Sequence, residues 1–240
     1  MTLLEERWRG VLDNMAEAVR KAGRREDSVR LVAVSKFHPA SDIAELCSLG
    51  QKDFGENYIQ EARAKQKELA GLDIRWHAIG PVQTNKAKEV AGHFALLHTL
   101  DRVELARALM HRLPEGAAQD VLIQVNVGEE PQKSGVLPAA LPPLFDALLS
   151  SGLISAEGPG LHVRGLMCLP PRCGEGEEAR PYFIMLRRLR DDMEKRFSLS
   201  LPELSMGMSG DYREAIEEGA TLVRVGTDIF GPRPLKSQML

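Results

Sequence analysis

The sequence predicts an α/β protein, a single (β/α)8 TIM-type barrel with an extra N-terminal helix. Three observations carry this. Eight short apolar runs, several rich in β-branched residues, alternate with segments of helical periodicity, the pattern of parallel β/α architecture. The count of eight suits a closed barrel, whereas a doubly wound open sheet usually has fewer strands. The chain has 240 residues, close to the usual size of one barrel, and no linker or repeat divides it. One domain spanning 1–240 is therefore expected.

The elements follow in order. Leu4, Trp8, Leu12, Met15 and Val19 recur at spacings of three and four, so an amphipathic helix is expected from Leu3 to Ala22, stopped by Gly23. Leu31-Val32-Ala33-Val34 reads as a strand buried on both faces. A helix from Ser41 to Leu49 ends at Gly50, and Asp53 to Asn57 gives the second strand and its exit. Helix Tyr58–Leu69, strand Ile74–Ile79, helix Thr84–Ala91, strand Phe94–Leu100 and helix Val103–His111 continue the alternation. Strand five is Val121–Val127, followed by a loop over Gly128–Gly135 and a helix around Leu141–Leu149. Strand six is Leu161–Met167, and a Gly/Pro-rich loop leads to a long helix from about Glu177 to Phe197. Glu203–Met206, the helix Tyr212–Glu218 and the strand Leu222–Val225 complete the set.

Composition narrows the function. Lys+Arg at 31 against Asp+Glu at 34 gives a net charge of −3, without the basic excess that a general nucleic-acid binder needs. The first ten residues carry Glu5, Glu6, Arg7 and Arg9 in place of the apolar stretch of a secretory signal. No apolar run is long enough to cross a bilayer. A soluble, cytoplasmic protein is expected. Three cysteines, Cys47, Cys168 and Cys173, form an odd number in a chain that is not small, so they read as ordinary thiols in a reducing compartment. Cys168 and Cys173 lack a second Cys/His pair at ligand spacing, so no metal is expected.

In a barrel of this type, active groups gather where the strands end, and phosphate is often gripped after strands seven and eight. Lys36 directly follows the first strand, where partial desolvation lowers an amine's pKa and makes it a nucleophile; the ordinary alternative is a solvated loop lysine. The seventh strand runs into Ser205-Met206-Gly207-Met208-Ser209-Gly210-Asp211. Its glycines allow close backbone approach, Asp211 with Glu214 resembles a capping box that opens a helix, and the N–H groups there form an anion site to which Ser209 adds a hydroxyl. The plain alternative is a Gly-rich turn. The eighth strand ends in Arg224-Val225-Gly226-Thr227-Asp228. Gly226 and Thr227 offer backbone N–H groups and a hydroxyl at the second phosphate loop. Arg224 points the same way as Gly226, either toward a ligand or into a salt bridge with an acidic neighbour.

A reactive amine, a phosphate grip and an inward arginine on one rim suit a phosphorylated aldehyde held as a Schiff base. Pyridoxal 5'-phosphate is the obvious one, with Arg224 facing its pyridine nitrogen. Asn57 is a further rim candidate, able to bond the phenolic oxygen. His77 and the Gly80-Pro81-Val82-Gln83 turn are others, although His77 fits a satisfied core histidine better.

Several motifs resemble the YggS/PROSC family. They are Ala33-Val34-Ser35-Lys36, Phe54-Gly55-Glu56-Asn57-Tyr58, and Trp76-His77-Ala78-Ile79-Gly80 with Gln83-Thr84-Asn85-Lys86. Gly128-Glu129 followed by Lys133 and Gly135 belongs with them, as do Ser205-Met206-Gly207-Met208-Ser209 with Asp211 and Arg224-Val225-Gly226-Thr227 followed by Ile229-Phe230-Gly231. They run in order from about Leu31 to Arg233; each is weak alone and together they are specific. The resemblance implies an alanine racemase-like barrel and a protein of intracellular pyridoxal 5'-phosphate homeostasis, acting as a carrier or regulator, monomeric, without robust catalysis, and handing cofactor to apo-enzymes. It also implies that Lys36 is the Schiff-base lysine, that Ser209, Gly226 and Thr227 contact phosphate, and that Arg224 faces the ring nitrogen. The third-strand motif more often carries Phe where Ala78 stands, and the loop Pro170–Glu178 is particular to this chain.

Two other readings compete. A racemase or lyase would draw its acid or base from Tyr58, Tyr182, Tyr212 or His77. Against it, only about fourteen residues follow the eighth strand, too few for the domain that supplies a racemase's second base, and an arginine at the ring nitrogen weakens carbanion chemistry. A class I aldolase would use Lys36 on a sugar-phosphate carbonyl, but such enzymes usually place that lysine late in the barrel.

Overall fold

The short apolar runs become staves of a closed ring. The structure, a computed structural model, describes residues 1–171 and 176–232. Cys173, the middle of the Pro170–Glu178 loop and Arg233 lie outside the described residues. The strands are β1 (Arg30–Val34), β2 (Asp53–Glu56), β3 (Arg75–Ala78), β4 (Leu96–Leu100), β5 (Ala118–Val125), β6 (Gly160–Cys168), β7 (Glu203–Ser205) and β8 (Leu222–Val225). They pair in sequence order, and the ring closes where β8 lies parallel to β1, Val32 opposite Arg224. This is the expected eight-stranded parallel barrel.

The helices are α1 (Leu3–Lys21), α2 (Ala40–Ser48), α3 (Ile59–Glu68), α4 (Ala87–Val90), α5 (Val103–Met110), α6 (Leu141–Ser150), α7 (Arg180–Phe197), α8 (Tyr212–Glu217) and α9 (Thr227–Phe230). The expected helix over Thr84–Ala91 divides into a 3₁₀ turn, Thr84–Lys86, and the single turn of α4. The segment expected to start near Glu177 likewise opens with a 3₁₀ turn before α7. α9 was not expected, because four residues after Gly226 are too few to show a period.

α1 is capped by Thr2, whose hydroxyl accepts from the Glu5 N–H at 3.1 Å. It buries Trp8, Val11, Met15, Ala18 and Val19 and packs against α2, α8 and α9. Gln51 ties it to the barrel: its side chain accepts from Trp8 Nε1 at 3.0 Å and donates to the carbonyls of Leu31 and Asp53 at 2.9 and 2.7 Å. Each strand residue that is apolar on its outer face joins one large cluster with the helices. A second, small cluster of Val32, Leu96, Leu122, Met167 and Leu222 lies inside the ring. Among the described residues no helix is long and apolar enough to cross a membrane.

The barrel interior also holds a polar string. Asp53, paired with Arg75 at 2.5 Å, bonds His77 Nε2 at 2.9 Å. His77 Nδ1 meets His98 Nε2 at 2.8 Å, His98 Nδ1 meets Ser205 Oγ at 2.8 Å, and Arg224 Nη1 donates to Ser205 Oγ at 2.5 Å. The string closes in one direction with both rings neutral. Arg224 donates to Ser205, Ser205 to His98, His98 to His77, and His77 to the Asp53 carboxylate. Burial pushes both imidazole pKa values down, His98 well below the ordinary range, while the Arg75 and His77 hydrogen bonds hold Asp53 well below the usual carboxylate range against the opposing effect of burial. His77 is thus a satisfied interior histidine.

Candidate functional site

Strand ends and their loops surround a pocket of about 530 Å³ at the carboxyl end of the barrel. Lys36, Asn57, Ser209, Arg224, Gly226 and Thr227, the six residues singled out from the sequence, all line it. Each arrives from a different local cause.

Lys36 is half-buried and follows the buried end of β1. The next residue, Phe37, has φ 67°, a left-handed conformation that bulky side chains rarely take and that clusters at functional sites. Asn57 leaves β2, and its Oδ1 is buried without a hydrogen-bond partner among the described residues. Its backbone carbonyl crowds Gly80, where an added Cβ would lie 2.1 Å from the oxygen, so only glycine permits that approach. Ser209 lies in the loop after β7. The turn there needs Gly207, at φ 91° with Ala215 Cβ only 2.6 Å from where a side chain would begin.

The expected capping box at Asp211 is corrected by the geometry. Asp211 makes no side-chain cap to α8; its Oδ1 instead accepts the Met208 N–H at 2.6 Å, folding the carboxylate back over its own loop. Gly226 and Thr227 form the entrance to α9, where a short turn of helix stands in place of the simple loop that was expected.

Arg224 is 3% exposed. Beyond Ser205 Oγ it donates to the Cys168 carbonyl at 2.9 Å, and among the described residues it pairs with no carboxylate. The salt bridge considered from sequence is therefore not formed. Burial lowers its pKa from the ordinary value, and raises the neighbouring Cys168 thiol to about 12. A buried cation whose only hydrogen-bond acceptors among the described residues are a hydroxyl and a carbonyl is poorly compensated, which suits an acceptor arriving in the pocket.

Sequence reasoning missed other lining residues. His38 sits two positions after Lys36, with its ring stacked on Phe230 at 4.9 Å. Gln124 donates to the Ser134 carbonyl at 3.0 Å. Lys133, which the sequence offered only as part of a family motif, lines the pocket; its Nζ bonds the Pro170 carbonyl at 2.8 Å and pairs with Glu130 at 2.5 Å. The Gly128–Gly135 loop that brings it there had only a weak signal, its lysine beside glycines. Of the acid–base candidates, Tyr58, Tyr182, Tyr212 and His77 are not among the pocket-lining residues. No group of three or more metal-ligating side chains occurs among the described residues.

Comparison with known proteins agrees with this geometry. Residues 11–234 match the family of the alanine racemase N-terminal domain. A pyridoxal phosphate homeostasis protein of Aquifex aeolicus is 45% identical over 229 residues, 95% of this chain and 97% of that one. Another, of Pseudomonas aeruginosa, is 43% identical, covering 97% of each chain. The structure of PipY from Synechococcus elongatus with PLP bound superposes with a TM-score of 0.74 at 36% identity, over 90% of this chain and all of that one. The chain belongs to the alanine racemase N-terminal domain family, and within it to the group of pyridoxal phosphate homeostasis proteins.

Proposed function

We propose that this chain binds pyridoxal 5'-phosphate in the pocket, attaches it covalently through Lys36, and serves as a carrier or regulator of the cofactor without catalytic turnover of its own. The observation that carries the reading is that one pocket collects Lys36, the Ser209 loop, the Gly226–Thr227 turn and Arg224. The donor set fits the cofactor. Lys36 presents a primary amine to the aldehyde end. Ser209, Gly226 and Thr227 take the phosphate. Asn57 Oδ1, buried without a partner among the described residues, accepts from a ligand hydroxyl. Arg224 donates to the ring nitrogen.

When bound, pyridoxal phosphate supplies an electrophilic carbonyl carbon and a ring that can accept electron density. Arg224 sets how much of the second property is used. A guanidinium keeps its protons at any physiological pH, so it donates a hydrogen bond to the ring nitrogen without protonating it. The ring is then a poor electron sink, which favours holding over turnover. The position of the four acid–base candidates away from the pocket lining supports the same choice over a racemase or lyase. Under this proposal the partners are the cofactor and the apo-enzymes that accept it, and the protein is a single-domain, cytoplasmic monomer.

The test is spectroscopic. Purified protein mixed with pyridoxal phosphate should develop a visible yellow band. Borohydride treatment followed by peptide mass spectrometry should place the cofactor on Lys36, and Lys36→Ala should show neither. A wild type that stays colourless with added cofactor would overturn the reading. Stereospecific exchange of the α-proton of single amino-acid enantiomers in deuterated solvent would instead favour the racemase or lyase.

A further inference from the structure

Both peptide units of Lys36 are gripped from the helix side of the wall. On one side, the Ser35 carbonyl accepts from Lys65 Nζ at 2.7 Å. On the other, the Phe37 N–H donates to Glu61 Oε1 at 2.6 Å. The two gripping side chains stand one turn apart on α3 and pair with each other at 2.7 Å. Lys65 also pairs with Glu56 Oε1 at 2.7 Å, and the Ser35 hydroxyl donates to that same oxygen at 2.7 Å. The Lys65 and Glu56 side chains are 8% and 0% exposed, so water does not replace these bonds readily. A further contact comes from the residue before α3: the Tyr58 ring lies 5.2 Å from that of Phe37.

We propose that the Glu61–Lys65 pair is a positioning device that fixes the backbone of Lys36, and with it the reach and reactivity of the Lys36 amine in the pocket. An ion pair with Lys65 buried and the Glu61 side chain 24% exposed is a weak source of net stability. What this pair supplies is direction, because its donors and acceptors fall on the two peptide groups flanking one residue. They also hold Phe37 in its left-handed conformation, which surrounding structure must impose. A lysine stem has four rotatable carbons, so a small turn of its backbone moves the amine far.

The significance of this device rests on the assignment of Lys36 as the attachment point, but its geometry is testable without cofactor. Full-length, cofactor-free protein would be treated with a water-soluble acetylating reagent, and modification of each lysine followed by peptide mass spectrometry, with exposed Lys88 as internal reference. In Glu61→Ala the Lys36 amine should acetylate about fivefold faster relative to Lys88, as expected when a held, half-buried group is released to solvent. Glu61→Gln keeps an acceptor for the Phe37 N–H and should restore the wild-type rate. Affinity for pyridoxal phosphate should fall about tenfold in Glu61→Ala and recover in Glu61→Gln, the scale expected from lost positioning. If Glu61→Ala does not fold, Glu61→Asp, which shortens the carboxylate arm and keeps its charge, takes its place. An unchanged or slower Lys36 rate in a folded variant overturns the inference. Failure of the cofactor assignment would show differently, as a wild type that binds no pyridoxal phosphate whatever its acetylation pattern.

Discussion

Acidification from about pH 7.5 to about pH 5 should weaken the fold through the two histidines of the interior string, and the size of the effect follows from their bonding. His77 and His98 are neutral in the folded state, with burial holding both pKa values below the ordinary imidazole value. An unfolded imidazole titrates near 6.5, so as pH falls below that value the unfolded chain takes up protons that the folded one refuses. Stability is therefore full above about 6.5 and falls on acidification. At about pH 5 an unfolded histidine gains roughly 2 kcal/mol from protonation, so a ring that stays neutral costs up to about 2 kcal/mol, a sizeable share of a typical 5–15 kcal/mol. Asp53 adds nothing in this window. Its depressed carboxyl contributes stability that is present above the unfolded value of about 3.9 and is lost only as pH falls below it. The assay is urea unfolding, followed by circular dichroism at about pH 7.5, 6 and 5, of cofactor-free wild type and His98→Gln. Glutamine accepts from Ser205 and donates to His77 but does not titrate. The pH dependence of the variant should be smaller by about 2 kcal/mol. Identical pH dependence in the two proteins would refute a neutral, one-directional string.

Other perturbations probe the frame and the site. Gly80→Ala brings a methyl to 2.1 Å from the Asn57 carbonyl and should destabilise by about 2 kcal/mol, read as a lower thermal midpoint. Gln51→Ala removes the bonds joining Trp8 to the Leu31 and Asp53 carbonyls and should cost about 3 kcal/mol in urea unfolding, roughly 1 kcal/mol for each of its three bonds. Arg224→Met should weaken pyridoxal phosphate binding about tenfold in a fluorescence titration, equivalent to about 1.4 kcal/mol. An undiminished affinity would remove Arg224 from the site.

The barrel was legible because its strands are short apolar runs and its helices keep their period, so chain order alone set the ring. The strand-end rule then led to Lys36, Ser209, Arg224, Gly226 and Thr227. Boundaries slipped where a polar residue is buried by hydrogen bonds. β5 begins at Ala118, ahead of the expected Val121, because Gln119 is satisfied by the Phe94 and Asp120 carbonyls. Periodicity carries no mark of such a bond. The interior string was illegible for a related reason: His77, His98 and Ser205 stand on three strands, and only the register brings them together. Glu61 and Lys65 look in the sequence like the solvated face of an ordinary helix. Nothing local marks Lys65 as buried, since its distant partners are Glu56 at the end of β2 and the Ser35 carbonyl after β1. The apparent capping box at Asp211 is the opposite case, in which a correct residue pattern serves a different turn.

Ring closure has a consequence for how the molecule is made. β1 is synthesised well before β8, yet each is the other's neighbour. Until the last strand arrives, β1 presents a row of unmatched main-chain groups, and any second nascent chain offers it the same complement. A partner supplied so late makes assembly slow for the length of the chain and leaves a window for strand exchange between copies. α1 packs on α8 and α9 as well as on α2, so its burial too is completed only when those later helices are made. Crowded ribosomes on one message would feel that delay before the completed protein ever meets a ligand.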